Sequence, residues 1–230
     1  MSSLVEEVSA VIFDFFGTLT LGAPAELWLA HASEIAALMG VDGPALYTAL
    51  NETFPERATG AMGDLPRTLQ TLASRLGTRL TNQQLDAALL IRRRFLRERF
   101  ALREDAMPTI ERLRVHGLKI GVMSDCSTEL PEVWNELPLA ASVDAAVFSC
   151  VAGIRKPNPR FYGLVMEQLS VTAGDCLYVG DGGGYELTGA RAVGMRVALL
   201  ASDDWQTNAV YNREEDWDGT RISSLAMLCP

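Results

Sequence analysis

Residues 9–20 read SAVIFDFFGTLT, and this stretch decides how the rest of the chain can fold. The apolar run 10–13 ends at a single carboxylate, Asp14, and Gly17 and Thr18 follow directly. A short apolar run that ends in a glycine turn predicts a buried strand. Asp14 is then expected at the carboxyl end of that strand, where open α/β sheets bind their ligands. A carboxylate in this place can act as a nucleophile, a base or a metal ligand, or it can simply cap the turn.

The composition limits the classes of protein to which the chain can belong. With 230 residues, 48% of them hydrophobic, it can form one large domain or a domain with a smaller one inserted. The net charge of −9 argues against a nucleic-acid partner, whereas a small anionic substrate stays compatible because the local field decides its binding. No apolar run reaches the roughly 18 residues of a membrane helix. Glu6 and Glu7 stand where a signal peptide would be basic, so a cytoplasmic location is predicted.

The cysteines have no paired spacing of the kind that marks a zinc site or a redox pair. We therefore predict thiols in a reducing compartment rather than disulfides or metal ligands. The four residues are Cys126, Cys150, Cys176 and Cys229.

The rhythm of the sequence divides the chain into a helical part and an alternating part. No clear strand is visible between residues 24 and 106, where helical patterns cover 24–39, 44–53, 64–76 and 82–100. From residue 109 onward strands and helices alternate, with the last core strand at 195–200 and a terminal helix at 223–228. Alternation of this kind predicts an α/β fold with a doubly wound parallel sheet. The predicted core comprises residues 1–20 and 107–230, and the predicted α-helical insert comprises residues 21–106.

The last helix of the insert carries an arginine-rich stretch, IRRRFLRERF at residues 91–100. We interpret it as a solvated face with Ile91, Phe95 and Leu96 packed inward. The functional alternative is a self-association face or a clamp for an anion above the site.

Polar residues follow the predicted strands at several separate points of the chain. Because the carboxyl ends of parallel strands meet at one edge of a sheet, these residues are expected to converge without being neighbours in sequence. Carboxylates can hold a hard divalent cation such as Mg²⁺, while a lysine and a hydroxyl can bind an anion. The converging residues are Asp14, Ser124, Lys156, Asp181 and Glu186.

These residues resemble, in order and spacing, the four motifs of the haloacid dehalogenase (HAD) superfamily, most of whose members are phosphatases. The segments that match are DFFGT at 14–18, VMS at 122–124, KPNP at 156–159, and GD at 180–181 with Glu186. The resemblance extends over residues 9–200, and it implies a Rossmann-like core with a helical cap domain inserted after the first motif.

The resemblance also implies a role for each matching residue. Asp14 would be the nucleophile of an aspartyl-phosphate intermediate, and Lys156 would restrain Asp14 and hold phosphoryl oxygens together with Ser124. Substrate binding is further assigned to Asp125 and Thr18. The implied ligands of Mg²⁺ are Asp14, the backbone carbonyl of Phe16, Asp181 and, directly or from close by, Glu186.

Phe16 departs from the pattern of the phosphatases in this family, which carry a second aspartate at that position. That aspartate protonates the leaving oxygen and then activates water, and such general acid–base help is typically worth ~10²–10⁴-fold in rate. A phenylalanine can do neither. The metal site is not affected, because residue 16 contributes only a backbone oxygen to it.

Three functions are compatible with this departure. The first is a Mg²⁺-dependent phosphatase whose substrate has a good leaving group or whose cap supplies another acid. The second is a 2-haloacid dehalogenase, since those enzymes carry an aromatic residue at this position and halide leaves without a proton. The third is a catalytically weak binding member. The retained Asp181 and Glu186 favour the phosphatase, because dehalogenases work without metal and unneutralised acids beside Asp14 would repel one another.

The partner predicted from these features is a small anionic molecule, with neither nucleic acid nor membrane involved, and a homodimer is left open. The sequence does not define the substrate pocket. Trp28, Phe54, Arg57 and Arg67 are candidate pocket residues, although packing within the cap or exposure on its surface is the favoured explanation for each of them.

Overall fold

The predicted strand at 10–13 lies at the centre of a six-stranded parallel sheet. The computed structural model describes residues 4–229 and gives the strand order β3-β2-β1-β4-β5-β6. All four residues of β1 are buried, because the strand has a neighbour on each side and helices on both faces. The strands are β1 (Ala10–Phe13), β2 (Lys119–Ser124), β3 (Ala145–Phe148), β4 (Cys176–Gly180), β5 (Arg196–Leu200) and β6 (Thr220–Ile222).

The register of the central strands brings three separate parts of the chain to one edge of the sheet. Phe13 pairs with Val122 of β2 and with Val179 of β4. The backbone N–H of Asp14 donates to the carbonyl of Val179 at 2.9 Å, which fixes Asp14 directly beyond the strand. The strand order reverses between β1 and β4, and the crevice at such a reversal is where doubly wound sheets bind ligands.

Helices cover both faces of the sheet, as predicted for a doubly wound fold. On one face Ile110 and Leu113 pack against Val11 and Val122, and on the other Val165 packs in a cluster with β1 and β4. The helices of this core are α6 (Ala106–Val115), α7 (Glu129–Val133), α8 (Ser149–Ala152), α9 (Pro159–Leu169) and α10 (Glu186–Ala192).

The segment between β1 and α6 consists of helices, as its periodicity predicts. Most of their buried apolar residues form a cluster of their own, whereas Phe95 and Leu96 of the last helix belong to a cluster on the sheet. Side-chain caps explain several of the helix starts: Asp42 and Asp64 accept from the first turns, and Thr81 with Gln84 forms a capping box. The separate cluster supports the proposed cap domain at 21–106. Its helices are α1 (Ala25–Met39), α2 (Gly43–Glu52), α3 (Phe54–Ala58), α4 (Leu65–Arg75) and α5 (Asn82–Arg99).

The C-terminal part of the chain differs from the sequence prediction in two respects. The strand at 196–200 is not the last one, because residues 220–222 add β6 beside it. This strand has three residues, of which only Ile222 is buried, so no apolar run marks it. The terminal helix predicted at 223–228 is a single 3₁₀ turn at Leu225–Leu228. No helix within residues 4–229 has the length and apolar character needed to cross a membrane, and the four cysteines are free thiols as predicted.

Candidate active site

Lys156 joins two carboxylates at the carboxyl edge of the sheet. Its Nζ lies 2.5 Å from Asp14 Oδ1 and 2.5 Å from Glu186 Oε2, and all three side chains are buried. Burial works against the ammonium charge, but the attraction of the surrounding carboxylates is stronger and raises the pKa of Lys156 well above its ordinary value. The lysine is therefore permanently cationic and fixes the position of Asp14.

The loop before α9 places Lys156, and Asp125 holds that loop. Asp125 follows β2, and its Oδ1 accepts from the backbone N–H of Lys156 at 3.0 Å. Its Oδ2 lies 3.6 Å from the guanidinium of Arg155. Both oxygens of Asp125 thus face the lysine loop, which ties the end of β2 to the third motif.

The carboxylate of Glu186 is fully engaged by protein donors. Its Oε2 accepts from Lys156 and, at 2.7 Å, from the hydroxyl of Tyr178, while its Oε1 accepts from the backbone N–H of Gly182 at 2.9 Å. This packing requires the glycine at 180, because a Cβ there would stand 2.2 Å from Glu186 Oε1. Glu186 therefore holds Lys156 from the side opposite Asp14.

Asp181 completes the acidic cluster and approaches the turn that follows β1. Oxygen atoms of Asp14, Asp181 and Glu186 all lie within 4.8 Å of one another. A Cβ on Gly17 would stand 2.2 Å from Asp181 Oδ2, so the first motif needs its glycine for this close approach. Burial, partly opposed by Lys156 and reinforced by Glu186, raises the pKa of Asp14 to about 7. Burial, with the neighbouring carboxylates, also raises the pKa of Asp181 well above its ordinary value.

The residues present fit a divalent metal ion. Three buried carboxylates face one ammonium group, so two negative charges lack a cationic neighbour in the cluster itself. An oxygen-only donor set of this kind suits Mg²⁺, which prefers one or two carboxylates and keeps several waters. Asp14 and Asp181 would hold such an ion, with Glu186 beside them.

Asn208 is a site residue that the sequence analysis missed. Its Nδ2 donates to Asp181 Oδ2 at 3.1 Å, and its Oδ1 accepts from the backbone N–H of Ala23 at 2.8 Å. One side chain thus connects the acidic cluster with the strand-to-helix connection that enters the insert. The residue lies in an irregular segment between β5 and β6, where no motif or periodicity marks it.

Asp204, in the same irregular segment, holds Arg103, which in turn anchors the turn after β1. The guanidinium donates to the carbonyls of Gly17 at 3.0 Å and Thr18 at 3.1 Å, and it pairs with Asp204 at 2.9 Å. Asp204 in turn accepts from the backbone N–H of Gly22 at 2.8 Å. The turn that presents Asp14 is therefore held from outside by residues distant in sequence.

The hydroxyls of Thr18 and Ser124 are buried and have no hydrogen-bond partner within the described part of the chain. A large cavity, described below, lies above the acidic cluster, and neither residue lines it. Their assigned roles in substrate binding stay predictions. Phe16 does line that cavity and packs against Phe15 and Phe100, with ring centroids 5.0 and 6.0 Å away.

A cavity of about 480 Å³ lies between the acidic cluster and the helical insert. Trp28, Phe54 and Arg57, named from sequence as candidates, line it, whereas Arg67 does not. The interpretation of the arginine-rich stretch as a solvated face is wrong for Arg92, which is buried and lines the cavity. Helical periodicity carries a signal for this, because Arg92 stands three and four residues before the inward-facing Phe95 and Leu96 and therefore shares their face of α5. The aromatic residues that line the cavity are Phe16, Trp28, Tyr47, Phe54, Phe100 and Tyr211.

The doubly wound sheet and the buried acid–lysine cluster at its point of strand reversal are typical of an α/β enzyme, with the candidate site at the tip of β1. The chain belongs to the haloacid dehalogenase-like hydrolase family, whose model matches residues 8–194. This confirms the resemblance that the four motifs indicated.

Comparison with individual proteins gives relatives of two kinds. Phosphatase MT3486 of Mycobacterium tuberculosis is 37% identical over 99 residues, which is 42% of this chain and 45% of that protein. The chain thus spans less than half the length of the curated relatives it matches. A 2-haloacid dehalogenase from Pseudomonas syringae pv. Tomato DC3000 has a TM-score of 0.66 at 23% identity, covering 96% of both chains. A HAD phosphatase from Thermococcus onnurineus has a TM-score of 0.64 at 21% identity, also covering 96% of both. At these identities the two structures show the shared fold alone.

Replacing Lys156 with Met is expected to destabilise the protein by about 3–5 kcal/mol near pH 8, because Asp14 and Glu186 would be left buried without their cation. Urea unfolding of the two proteins measures the difference. The matched control is Lys119→Met, since Lys119 is exposed and its Nζ only meets the carbonyl of Leu169. Equal losses in the two variants would contradict the assignment of Lys156.

Proposed function

We propose that the protein is a Mg²⁺-dependent phosphatase that hydrolyses a small phosphate monoester through an aspartyl-phosphate on Asp14. The observation that carries this proposal is the charge of the buried cluster, in which three carboxylates face one lysine. A reaction without metal would leave this excess negative charge beside an anionic substrate. A divalent cation removes the repulsion and makes the same residues an anion site.

The proposed reaction has two steps at phosphorus. In the first, a carboxylate oxygen of Asp14 attacks phosphorus, the ester P–O bond breaks, and the electron pair leaves with the alcohol oxygen. In the second, water attacks phosphorus and gives up a proton, which balances the proton taken up by the departed alkoxide; the bond to Asp14 breaks, and hydrogen phosphate and the free carboxylate result. Lys156 orients Asp14 and neutralises charge on the phosphoryl oxygens, with Ser124 and Thr18 as proposed hydroxyl donors. Bound Mg²⁺ would supply Lewis-acid stabilisation of the phosphoryl charge.

Two residues modify this scheme. Asp125 is proposed to act through Lys156 and Arg155 rather than on the phosphate, because its oxygens are occupied by that loop and a carboxylate repels an anion. Phe16 offers no proton to the leaving alcohol, so the proposed substrates are esters whose alcohols leave readily.

A 2-haloacid dehalogenase is the second candidate, and Phe16 is the observation that favours it. In that reaction Asp14 would displace halide from carbon, and no proton donor is needed. Two assays separate the candidates: release of phosphate from 4-nitrophenyl phosphate with Mg²⁺ or with a chelator, and release of chloride from 2-chloropropionate. Phosphate release abolished by the chelator supports the phosphatase. Chloride release that persists in the chelator overturns it, and silence in both assays favours the binding member.

Mg²⁺ is expected to stabilise the protein more at about pH 8 than at about pH 5.5. Without metal, the raised pKa values of Asp14 and Asp181 mean that the folded state binds more protons than the unfolded chain, so the free energy of unfolding falls as pH rises from about 4 toward and beyond 7. The metal needs ionised carboxylates, so its effect grows over the same range. Thermal unfolding with Mg²⁺ or chelator measures the shift, and Asp181→Asn should remove it. A shift equal at both pH values, or retained in that variant, contradicts the site.

A cytoplasmic location, a small anionic substrate and a homodimer stay predictions from the sequence. The cavity volume of about 480 Å³ is compatible with a metabolite-sized substrate.

A further inference from the structure

The cavity has two chemically different ends. At the sheet edge lie Asp14, Asp181 and Glu186 with Lys156. At the insert end the charged lining residues are Arg57, Arg92 and Arg99 with one acid, Glu129. The insert end therefore carries an excess of positive charge, in a protein whose net charge is −9.

Arg92 is buried and ion-paired, yet most of its N–H groups are unused. Its Nε donates to Glu129 Oε1 at 3.1 Å, and the guanidinium lies 5.9 Å from the ring centroid of Trp28. Its four other N–H groups make no hydrogen bond to any residue between 4 and 229. A guanidinium presents its donors in a planar fork that matches a carboxylate or a phosphate.

Arg57 stands on the same wall with spare donors. One terminal nitrogen donates to the carbonyl of Leu50 at 2.7 Å, whereas its Nε is buried without a partner among the described residues. Burial and, to a smaller extent, the nearby charge of Arg92 lower the pKa of Arg57 to about 10, while Glu129 partly opposes the shift. Glu129 neutralises one of them, so one positive charge is left over.

Of the unused donors, Arg57 Nε is enclosed, whereas those of Arg92 are open to the cavity, where an excess positive charge attracts an anion. We propose that Arg57 and Arg92 form a second anion subsite, which binds a carboxylate or phosphate at the far end of the substrate. The inference rests on the proposed phosphatase function, since it places the reacting phosphate at Asp14 and the second anion at the insert. The aromatic residues that line the same cavity predict an apolar spacer. The substrate class is thus a phosphate monoester whose alcohol part ends in an anionic group.

The test compares aryl phosphates that differ only in a distant substituent. We expect 3- or 4-carboxyphenyl phosphate, or 1,4-phenylene bisphosphate, to show kcat/KM at least about tenfold above that of 4-carbamoylphenyl phosphate, chiefly through KM. Arg57→Gln should remove this advantage, measured within the variant as the ratio of kcat/KM for the carboxyphenyl ester to kcat/KM for the carbamoylphenyl ester. Arg57→Lys, which keeps the charge, should retain part of it. The control is Arg93→Gln, an exposed neighbour that does not line the cavity.

The outcomes separate this inference from the proposed function. Hydrolysis of phenyl phosphate with no preference for any of the three anionic substituents overturns the subsite and leaves the phosphatase intact. Absence of phosphate release from every ester overturns the phosphatase. In that case calorimetry with terephthalate decides about the subsite alone: binding that is lost in Arg57→Gln and kept in Arg93→Gln supports it, and no binding to the unaltered protein overturns it.

Discussion

Asp14→Asn is expected to lower kcat/KM for phosphate esters by ~10⁴-fold or more, because the reaction loses its nucleophile and an amide oxygen does not replace it. The fold should survive the change. Lys156 keeps its contact with Glu186, and burial has already raised the pKa of Asp14 to about 7, so a neutral side chain is tolerated at this position. Initial rates with 4-nitrophenyl phosphate and Mg²⁺, together with thermal unfolding, measure both expectations.

Asp86→Asn is the matched control for this variant. Asp86 is exposed on α5, and the same isosteric change there should leave the rate within about twofold. If Asp14→Asn retained more than about a tenth of the activity while Asp86→Asn was normal, Asp14 could not be the group that attacks phosphorus.

Phe16→Asp is expected to raise kcat for alkyl phosphates by ~10²–10⁴-fold, because the substitution places a general acid and base where the phosphatases of this family have one. The gain should be small for 4-nitrophenyl phosphate, whose leaving group needs no proton. Residue 16 already faces the cavity, and its ring is half-buried against Phe15 and Phe100, so the carboxylate can be hydrated. Steady-state rates with paired alkyl and aryl phosphates measure the difference.

Phe16→Asn serves as the control. It removes the same ring, and asparagine has the shape of aspartate but no ionisable proton. A gain limited to Phe16→Asp supports a phosphatase that lacks only its acid. Equal gains in both variants would assign the effect to the space left by the ring. A loss of chloride release from 2-chloropropionate in both variants, with no gain on any phosphate, would favour the dehalogenase.

The segment between β5 and β6 gives the site a further constraint. Asn208 contacts Asp181 and the backbone of Ala23, while Asp204 contacts Arg103 and Gly22. The connections between the sheet and the insert are thus bonded to the same short segment as the acidic cluster. Hydrogen bonds and an ion pair through this segment therefore connect the insert with the acidic cluster.

Much of the fold follows from local pattern. The run 10–13 is apolar at every position because β1 is buried on both faces. A continuous apolar run that is followed by a glycine turn is visible in the sequence. The helices of the insert begin at residues such as Asp42, Asp64 and Thr81, whose side chains bond to their own first turns. These signals act over a few residues, so the sequence alone carries them.

The acids and the lysine of the site were also predictable, although they lie up to 172 positions apart in sequence (Asp14 to Glu186). A parallel sheet brings the ends of its strands to one edge, so a residue's place after a strand is enough to locate it there. The position of the family's second aspartate is counted from Asp14, so the sequence alone also showed that Phe16 occupies it and that this acid is absent.

Only the tertiary structure decided which other side chains meet this edge. Asn208 reaches Asp181 from an irregular segment, and Arg92, whose inward face follows from its spacing to Phe95 and Leu96, meets Glu129 from a distant helix. The physical reason is that these positions depend on how the insert and the C-terminal segment pack against the sheet. Such packing is set by many weak contacts between distant segments, and no run of neighbouring residues records it.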